Sequence, residues 1–223
     1  MTFSIVARCA RTGQFGMAIS SSSPAVAARC AHVRAGVGAV ASQNITDPSL
    51  GPLVLDQLEA GLPATEALQA VTTGRAHIDY RQLLVVDREG RTAIHSGSQV
   101  LGVWGEARST DCAAGGNLLA GELVPMAMVE AFTGSKGHLG ERLMLALEAG
   151  LKAGGEAGPV HSAGLKVADR LSWPLVDLRI DWAEDPIGML RAAWDVYAPQ
   201  MGAYVQRAED PTQAPSYGVP GDE

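Results

Sequence analysis

Cysteine is scarce and badly spaced for cross-linking. Cys9, Cys30 and Cys112 are three among 223 residues, an odd number at wide spacing. That pattern predicts reduced, semi-buried thiols and no disulfide framework. No CxxC or HExxH occurs, so nothing points to structural zinc or a zincin, and no metal or organic cofactor is expected. No apolar run reaches the roughly 18 residues of a membrane span. The opening MTFSIVARCARTG lacks a charged segment followed by an apolar one, so no signal peptide is expected and the chain reads as cytoplasmic. Positive charge is in deficit: the net charge is −7 and the pI about 5.2. Such a surface repels phosphate backbones and argues against nucleic acid as a partner.

What is present suits a globular fold. At 47% hydrophobic and 18% charged residues, the chain can bury a core without staples. Its length predicts one domain, over residues 1–207, followed by a Pro/Gly-rich acidic tail at 208–223 that reads as poorly ordered. Small acidic proteins of this kind often form symmetric pairs, so a homodimer is expected.

Periodicity supplies the elements. Thr2–Ala7 alternates and is rich in Phe, Ile and Val, which predicts a strand. Arg11-Thr12-Gly13-Gln14 is a turn and Phe15–Ser20 the returning strand. Val37–Ser42 is a third strand, followed by a turn-rich loop through Asn44 and Pro48. Leu53–Ala60 and Pro63–Thr73 read as helices separated by Gly61. Arg81–Asp87 and Thr92–Ser96 form another hairpin, and Ser109–Ala114 a strand running into Gly115-Gly116-Asn117. Two helices follow, Glu122–Phe132 and the amphipathic Leu139–Ala153. Ser162–Ala168 and Leu175–Asp181 are strands, with Arg179 and Asp181 on one face as a possible pair. Asp185-Pro186 opens a last helix, Ile187–Tyr204, which Pro199 should kink or end.

Strands arrive in hairpins, not singly between helices. That argues against a Rossmann-type parallel sheet and for mainly antiparallel sheets. Many strands are apolar on both faces, so both sheets must be covered. An α+β fold, a four-layer α-β-β-α sandwich, satisfies both conditions.

Thr2 is the first candidate for chemistry. Removing Met1 would leave an α-amine and a hydroxyl on one residue. An α-amine titrates near 7.7–8.0, so it can take the proton of its own hydroxyl. That is the self-contained nucleophile and base of the N-terminal threonine mechanism. Gly115-Gly116-Asn117 is the candidate oxyanion stabiliser, with Gly116 allowing close approach and Asn117 offering an amide donor. Gln43 and Asn44 follow a small-residue strand and can line a pocket. Arg81 can grip a carboxylate in a bidentate manner. His161 stands beside Ser162, but adjacent strand residues point to opposite faces, so His161 reads as a substrate contact and not as a base for that serine. Ser20–Ser23 lack a GxSxG elbow and read as a loop.

A resemblance adds to this reading. The runs Thr2-Phe3-Ser4-Ile5-Val6-Ala7, Thr12-Gly13-Gln14-Phe15-Gly16 and Ala35–Gln43 are similar to a bacterial family of unknown function, the domain-of-unknown-function 1028 family. The similarity continues through Arg81-Gln82, Gly115-Gly116-Asn117-Leu118, Glu141-Arg142-Leu143, Gly154-Gly155-Glu156 and His161-Ser162-Ala163. It ends with Leu178-Arg179-Ile180-Asp181 and Asp185-Pro186. The family is grouped by structure with the N-terminal-nucleophile (Ntn) hydrolases, which implies the α-β-β-α fold and a cytoplasmic protein, without an established substrate. This chain departs from the family pattern at Glu156, where Asp is expected, and at Cys9, where relatives often carry Asp. It has no lysine near the first hairpin, where threonine-type Ntn enzymes can carry one; Ser21, Ser22 and Ser23 occupy that region.

Two functions follow as expectations. One is an Ntn-type amidohydrolase that cleaves a small amide or ureido compound through Thr2. The other is a non-catalytic ligand-binding or scaffold protein that retains the sandwich, because a retained Met1 turns the Thr2 amine into a peptide nitrogen.

Overall fold

The structure is a computed structural model and describes residues 1–221. Its first hairpin is β1 (Thr2–Arg8) and β2 (Phe15–Ser21). A short helix α1 (Val26–Cys30) leads to β3 (Ala31–Arg34) and β4 (Gly38–Asn44). Helices α2 (Leu50–Glu59) and α3 (Ala64–Thr72) precede the hairpins β5 (Arg81–Asp87)–β6 (Thr92–Ser96) and β7 (Gly105–Ser109)–β8 (Cys112–Asn117). Then come α4 (Val124–Gly134), α5 (Leu139–Lys152), β9 (Ser162–Ala168), β10 (Val176–Ile180), α6 (Pro186–Tyr197) and α7 (Met201–Glu209).

The strands form a six-stranded sheet, β10-β9-β2-β1-β8-β7, and a four-stranded sheet, β3-β4-β5-β6. The strand pairings within both sheets are antiparallel. Three apolar layers hold the four structural layers together. Phe3, Ile5 and Ala7 of β1 pack with Met128, Phe132, Leu143 and Leu147 of α4 and α5. Val6, Met17 and Ile19 fill the space between the sheets with Ala41, Leu84 and Val86. Val40, Leu83 and Val85 meet Val54, Leu58 and Leu68 of α2 and α3. The alternation of β1 thus serves two cores at once: odd residues face helices and even residues face the other sheet. Each fully buried Leu, Ile or Phe stabilises by about 1.5–3 kcal/mol relative to exposure. The expected α-β-β-α sandwich of antiparallel sheets is the observed architecture.

Differences from the sequence reading are local. Val37–Ser42 shifts to Gly38–Asn44. The strand expected over Ser109–Ala114 begins at Cys112 and runs through Gly115-Gly116-Asn117 as β8, while Ser109 ends β7 and Thr110 and Asp111 make the turn, Asp111 at φ 68°. The strand expected over Phe15–Ser20 runs one residue further, so Ser21 ends β2 and is not part of the loop. The last helix divides around Pro199 into α6 and α7, as a residue without an N–H donor requires. Asp185 caps α6, its Oδ1 accepting from the Gly188 N–H at 3.0 Å. Arg179 pairs with Asp177 at 3.4 Å and not with Asp181. Of the tail, residues 222 and 223 lie outside the described residues. The part before them turns back at Pro211–Gln213, and Arg207 reaches the Pro215 carbonyl at 2.8 Å and the Tyr217 ring at 3.7 Å. Among the described residues no helix is long and apolar enough to cross a membrane.

Candidate active site

Four adjacent strands of the large sheet end in polar residues on one face. Thr2 opposes Asn117 across β1–β8, and Ser21 opposes Ser162 across β2–β9. Phe3 opposes Ser20, which brings Ser21 alongside Thr2. Directly opposed residues of an antiparallel pair share a face. That face is the inter-sheet one, because Val6, Met17, Ile19 and Ala113 at the same parity belong to the inter-sheet core. The sandwich therefore carries a polar row, Asn117-Thr2-Ser21-Ser162, at one end of an apolar interior. None of the four is more than 5% exposed.

Thr2 and Ser21 converge on one carbonyl. Both hydroxyls donate to the Met1 carbonyl oxygen, and the two side chains lie 3.4 Å apart. Ser21 Oγ also accepts the Ser23 N–H at 3.0 Å, which fixes its position. Ser162 ties down the following loop, donating to the Ser23 carbonyl at 2.6 Å and accepting the Val26 N–H at 3.2 Å.

Asn117 of the row and one further group, Glu156, complete the site. Asn117 is 1% exposed, yet neither its amide nitrogen nor its amide oxygen has a hydrogen-bond partner. An unpartnered buried amide costs about 1–3 kcal/mol, so its retention at this position calls for an explanation. Glu156 enters from the loop after α5, held by a bridge to Leu119, and accepts the Ser22 N–H at 3.1 and 3.2 Å. Burial raises its carboxyl to about 7, against the opposing pull of the terminal amine, the Ser22 hydrogen bonds and His161. A carboxyl that titrates near neutrality, within electrostatic reach of the chain's amine, can hold or release a proton at that amine.

The residues expected from the sequence fall into three groups. Thr2 and Asn117 are strand partners in the row. His161 borders it: its N–H donates to the Ser21 carbonyl at 2.8 Å, its ring stacks on Trp182 at 4.4 Å, and its charge acts on Glu156. Its side chain does not bond Ser162. Gly116 is not in a turn but inside β8, opposite Phe3. A Cβ there would come within 2.7 Å of Leu119 and 3.0 Å of the Thr2 carbonyl, so glycine is required by strand packing.

Gln43 is fully buried and does not line an open pocket. Its Oε1 accepts the Ser4 hydroxyl at 2.5 Å, and its Nε2 donates to Gln82 Oε1 at 2.9 Å and the Gly115 carbonyl at 3.2 Å. It is a polar tether between the sheets, one layer below the row. Asn44 and Arg81 are strand partners across β4–β5. Both spend donors on nearby backbone: Asn44 on the Tyr80 carbonyl at 2.6 Å and Arg81 on the Ile45 carbonyl. They stand at the same end of the sandwich, since Asn44 Oδ1 accepts the Leu101 N–H at 3.4 Å and Leu118 N–H donates to the Leu101 carbonyl at 3.0 Å.

Ser21 was not singled out by sequence, where it lay in a serine run. The alternation of Phe15–Ser21, extended by one residue, would have placed it beside Thr2. Cys9 lies at the opposite end of β1 from Thr2 and cannot orient its amine. Among the described residues no cluster of three or more His, Cys, Asp or Glu side chains is arranged to hold a metal.

A model described as a family of unknown function, DUF1028, matches residues 2–190. The chain belongs to this family. The match takes in Thr2, Ser21, Asn117, Glu156 and His161. Among solved structures, protein SPO2555 from Silicibacter pomeroyi, described with the same family model, is 31% identical with a TM-score of 0.85. That similarity covers 92% of this chain and 90% of the other. Anbu (ancestral beta-subunit) from Yersinia bercovieri is similar at 11% identity and a TM-score of 0.40, over 91% of this chain and 97% of that one. No curated protein matches.

Proposed function

We propose that this DUF1028 member is an N-terminal-nucleophile hydrolase that cleaves an amide bond in a small molecule, with Thr2 as the nucleophile once Met1 has been removed. The observation that carries the reading is the environment of the Met1 carbonyl. It is an acyl oxygen contacted by the Thr2 hydroxyl and by Ser21. With Met1 gone, a substrate acyl group would take the place of this carbonyl, and the Thr2 nitrogen would become a free amine at the end of the sheet where Glu156 enters.

The chemistry follows from these positions. The Thr2 hydroxyl gives its proton to the Thr2 amine as its oxygen attacks the substrate carbonyl carbon. The developing oxyanion needs a preorganised donor. The unpartnered Asn117 amide, the strand partner of Thr2, supplies one, and Ser21 supplies a second. The ammonium then returns its proton to the leaving nitrogen as the C–N bond breaks, leaving an ester on Thr2. Water adds to that ester with the amine again as base, and the acid product departs. Glu156, whose carboxyl burial raises to about 7, is the titratable group at this end that can exchange a proton with the freed amine.

The test is Thr2→Ala against a panel of small amides and ureides. Turnover should vanish; undiminished activity would sink the mechanism. A second reading, a non-catalytic binding protein, is favoured by the same carbonyl if Met1 stays: Met1 then caps the row, and the nitrogen of Thr2 has no basic lone pair. Intact mass of the chain from its native cell separates the two.

A further inference from the structure

The opposite end of β1 carries a different kind of opening. The β1–β2 turn, the β7–β8 turn and the α4–α5 connection surround a cavity of about 550 Å³ lined by Arg8, Cys9, Arg11, Asp111, Lys136 and Arg142 among others. Four of the chain's 17 basic residues face it, against one of its 24 acidic residues. In a protein of net charge −7, that concentration of one sign runs against the whole surface. Arg8 is committed to Asp111, at 2.9 Å. Among the described residues Arg11, Lys136 and Arg142 are in no ion pair.

Arg142 is held in place before any ligand arrives. Its guanidinium lies 3.9 Å from the centre of the Phe132 ring and donates one N–H to the Phe132 carbonyl at 3.2 Å. Its Nε is buried and has no partner. Arg142 lines the cavity while in no ion pair, so its positive charge is available to an anion that enters there. The neighbouring Cys9 thiol is perturbed by burial and, in the opposite direction, chiefly by the hydrogen bonds of its own turn. Burial pushes it up, but hydrogen bonds involving Thr12 and Arg11 and the charge of Arg142 outweigh burial and hold it below the ordinary thiol range.

We propose that this cavity binds a small phosphate-bearing ligand, with Arg11, Lys136 and Arg142 as its cationic contacts. Three separated cations suit a tetrahedral dianion with three terminal oxygens better than a planar carboxylate, which one guanidinium satisfies. The volume exceeds that of a bare phosphate and leaves room for an organic portion along the Phe132 side. The site is independent of Thr2: β1 has seven residues between the two ends, a span of about 20 Å.

The experiment is calorimetric titration at constant ionic strength, with inorganic phosphate, phenyl phosphate and malonate as probes. Saturable binding of phosphate is expected, tighter for phenyl phosphate and weaker for malonate. The double variant Arg11→Ala/Lys136→Ala changes two exposed side chains, so it should keep its melting temperature while phosphate affinity falls about tenfold or more. Thr2→Ala should bind phosphate like the unmodified chain. Absence of saturable phosphate binding up to about 10 mM, malonate binding as tightly as phosphate, or an unweakened double variant would each overturn the proposal.

Discussion

The two ends of the large sheet are built from the same strands and do opposite things with polarity. At the Thr2 end, small hydroxyls and one amide are buried between the sheets, and Glu156 enters with a carboxyl raised to about 7. At the Arg8 end, guanidinium and ammonium groups stand around an open cavity. Under the proposed function the first end uses desolvation for reactivity, since dipoles and hydroxyls in a dry site act strongly on charge that develops during a reaction. The second sets exposed Arg11 and Lys136 beside a half-buried Arg142, an arrangement that suits a charge that arrives already formed. The contrast teaches that one sheet can bury small polar groups at one end and gather cations at the other.

The largest effect that would break this comparison is on turnover. Thr2→Ala should lower amide hydrolysis by more than about a thousandfold while leaving phosphate affinity at the far end unchanged. Asn117→Ala should cost about a hundredfold to a thousandfold in kcat. Because the Asn117 amide has no partner, the same change should leave the melting temperature level or raised, as a purely structural asparagine would not. Chemical denaturation is the check. Gln43→Ala probes the floor of the Thr2 end. It removes partners from Ser4, Gln82 and the Gly115 carbonyl, and should destabilise by on the order of 2 kcal/mol without a matching effect on the cationic cavity.

The smallest effect is the pH response of Glu156. Its carboxyl ionises near 4.5 in the unfolded chain and near about 7 in the folded one. Between those values the folded chain holds a proton that the unfolded chain has released, so raising the pH through this window lowers stability. The loss should be about 1–2 kcal/mol, and Glu156→Gln should flatten it. A melting temperature that rises from pH 5 to pH 7.5, through this group, would show that Glu156 is already ionised and paired.

The layers of the fold were legible because hydrophobic alternation in β1, β2 and β5 is strong and hairpins dominate. The short pieces were not. α1 and β3 together span nine residues of Ala, Val, Arg, Cys and His, too brief for either period to declare itself. The β7–β8 turn rests on Asp111 at positive φ, which a run of Ser-Thr-Asp-Cys does not announce. Of the site, Thr2 and Asn117 could be named but their partnership could not, since register across β1–β8 is a long-range property. Gln43 was visible as a polar residue after an apolar strand, and only the second sheet reveals that its amide is used as a tether. The cationic cavity escaped notice because its cations come from separate places, Arg8 at the end of β1, Arg11 in the following turn, Lys136 before α5 and Arg142 within α5.

The account stands on one covalent fact at the Thr2 end. Intact-mass measurement of the chain purified from its native cell reads it directly. The account predicts a mass short by one methionine, with the α-amine on Thr2. A mass that retains Met1 throughout would contradict it and leave the polar row without a base.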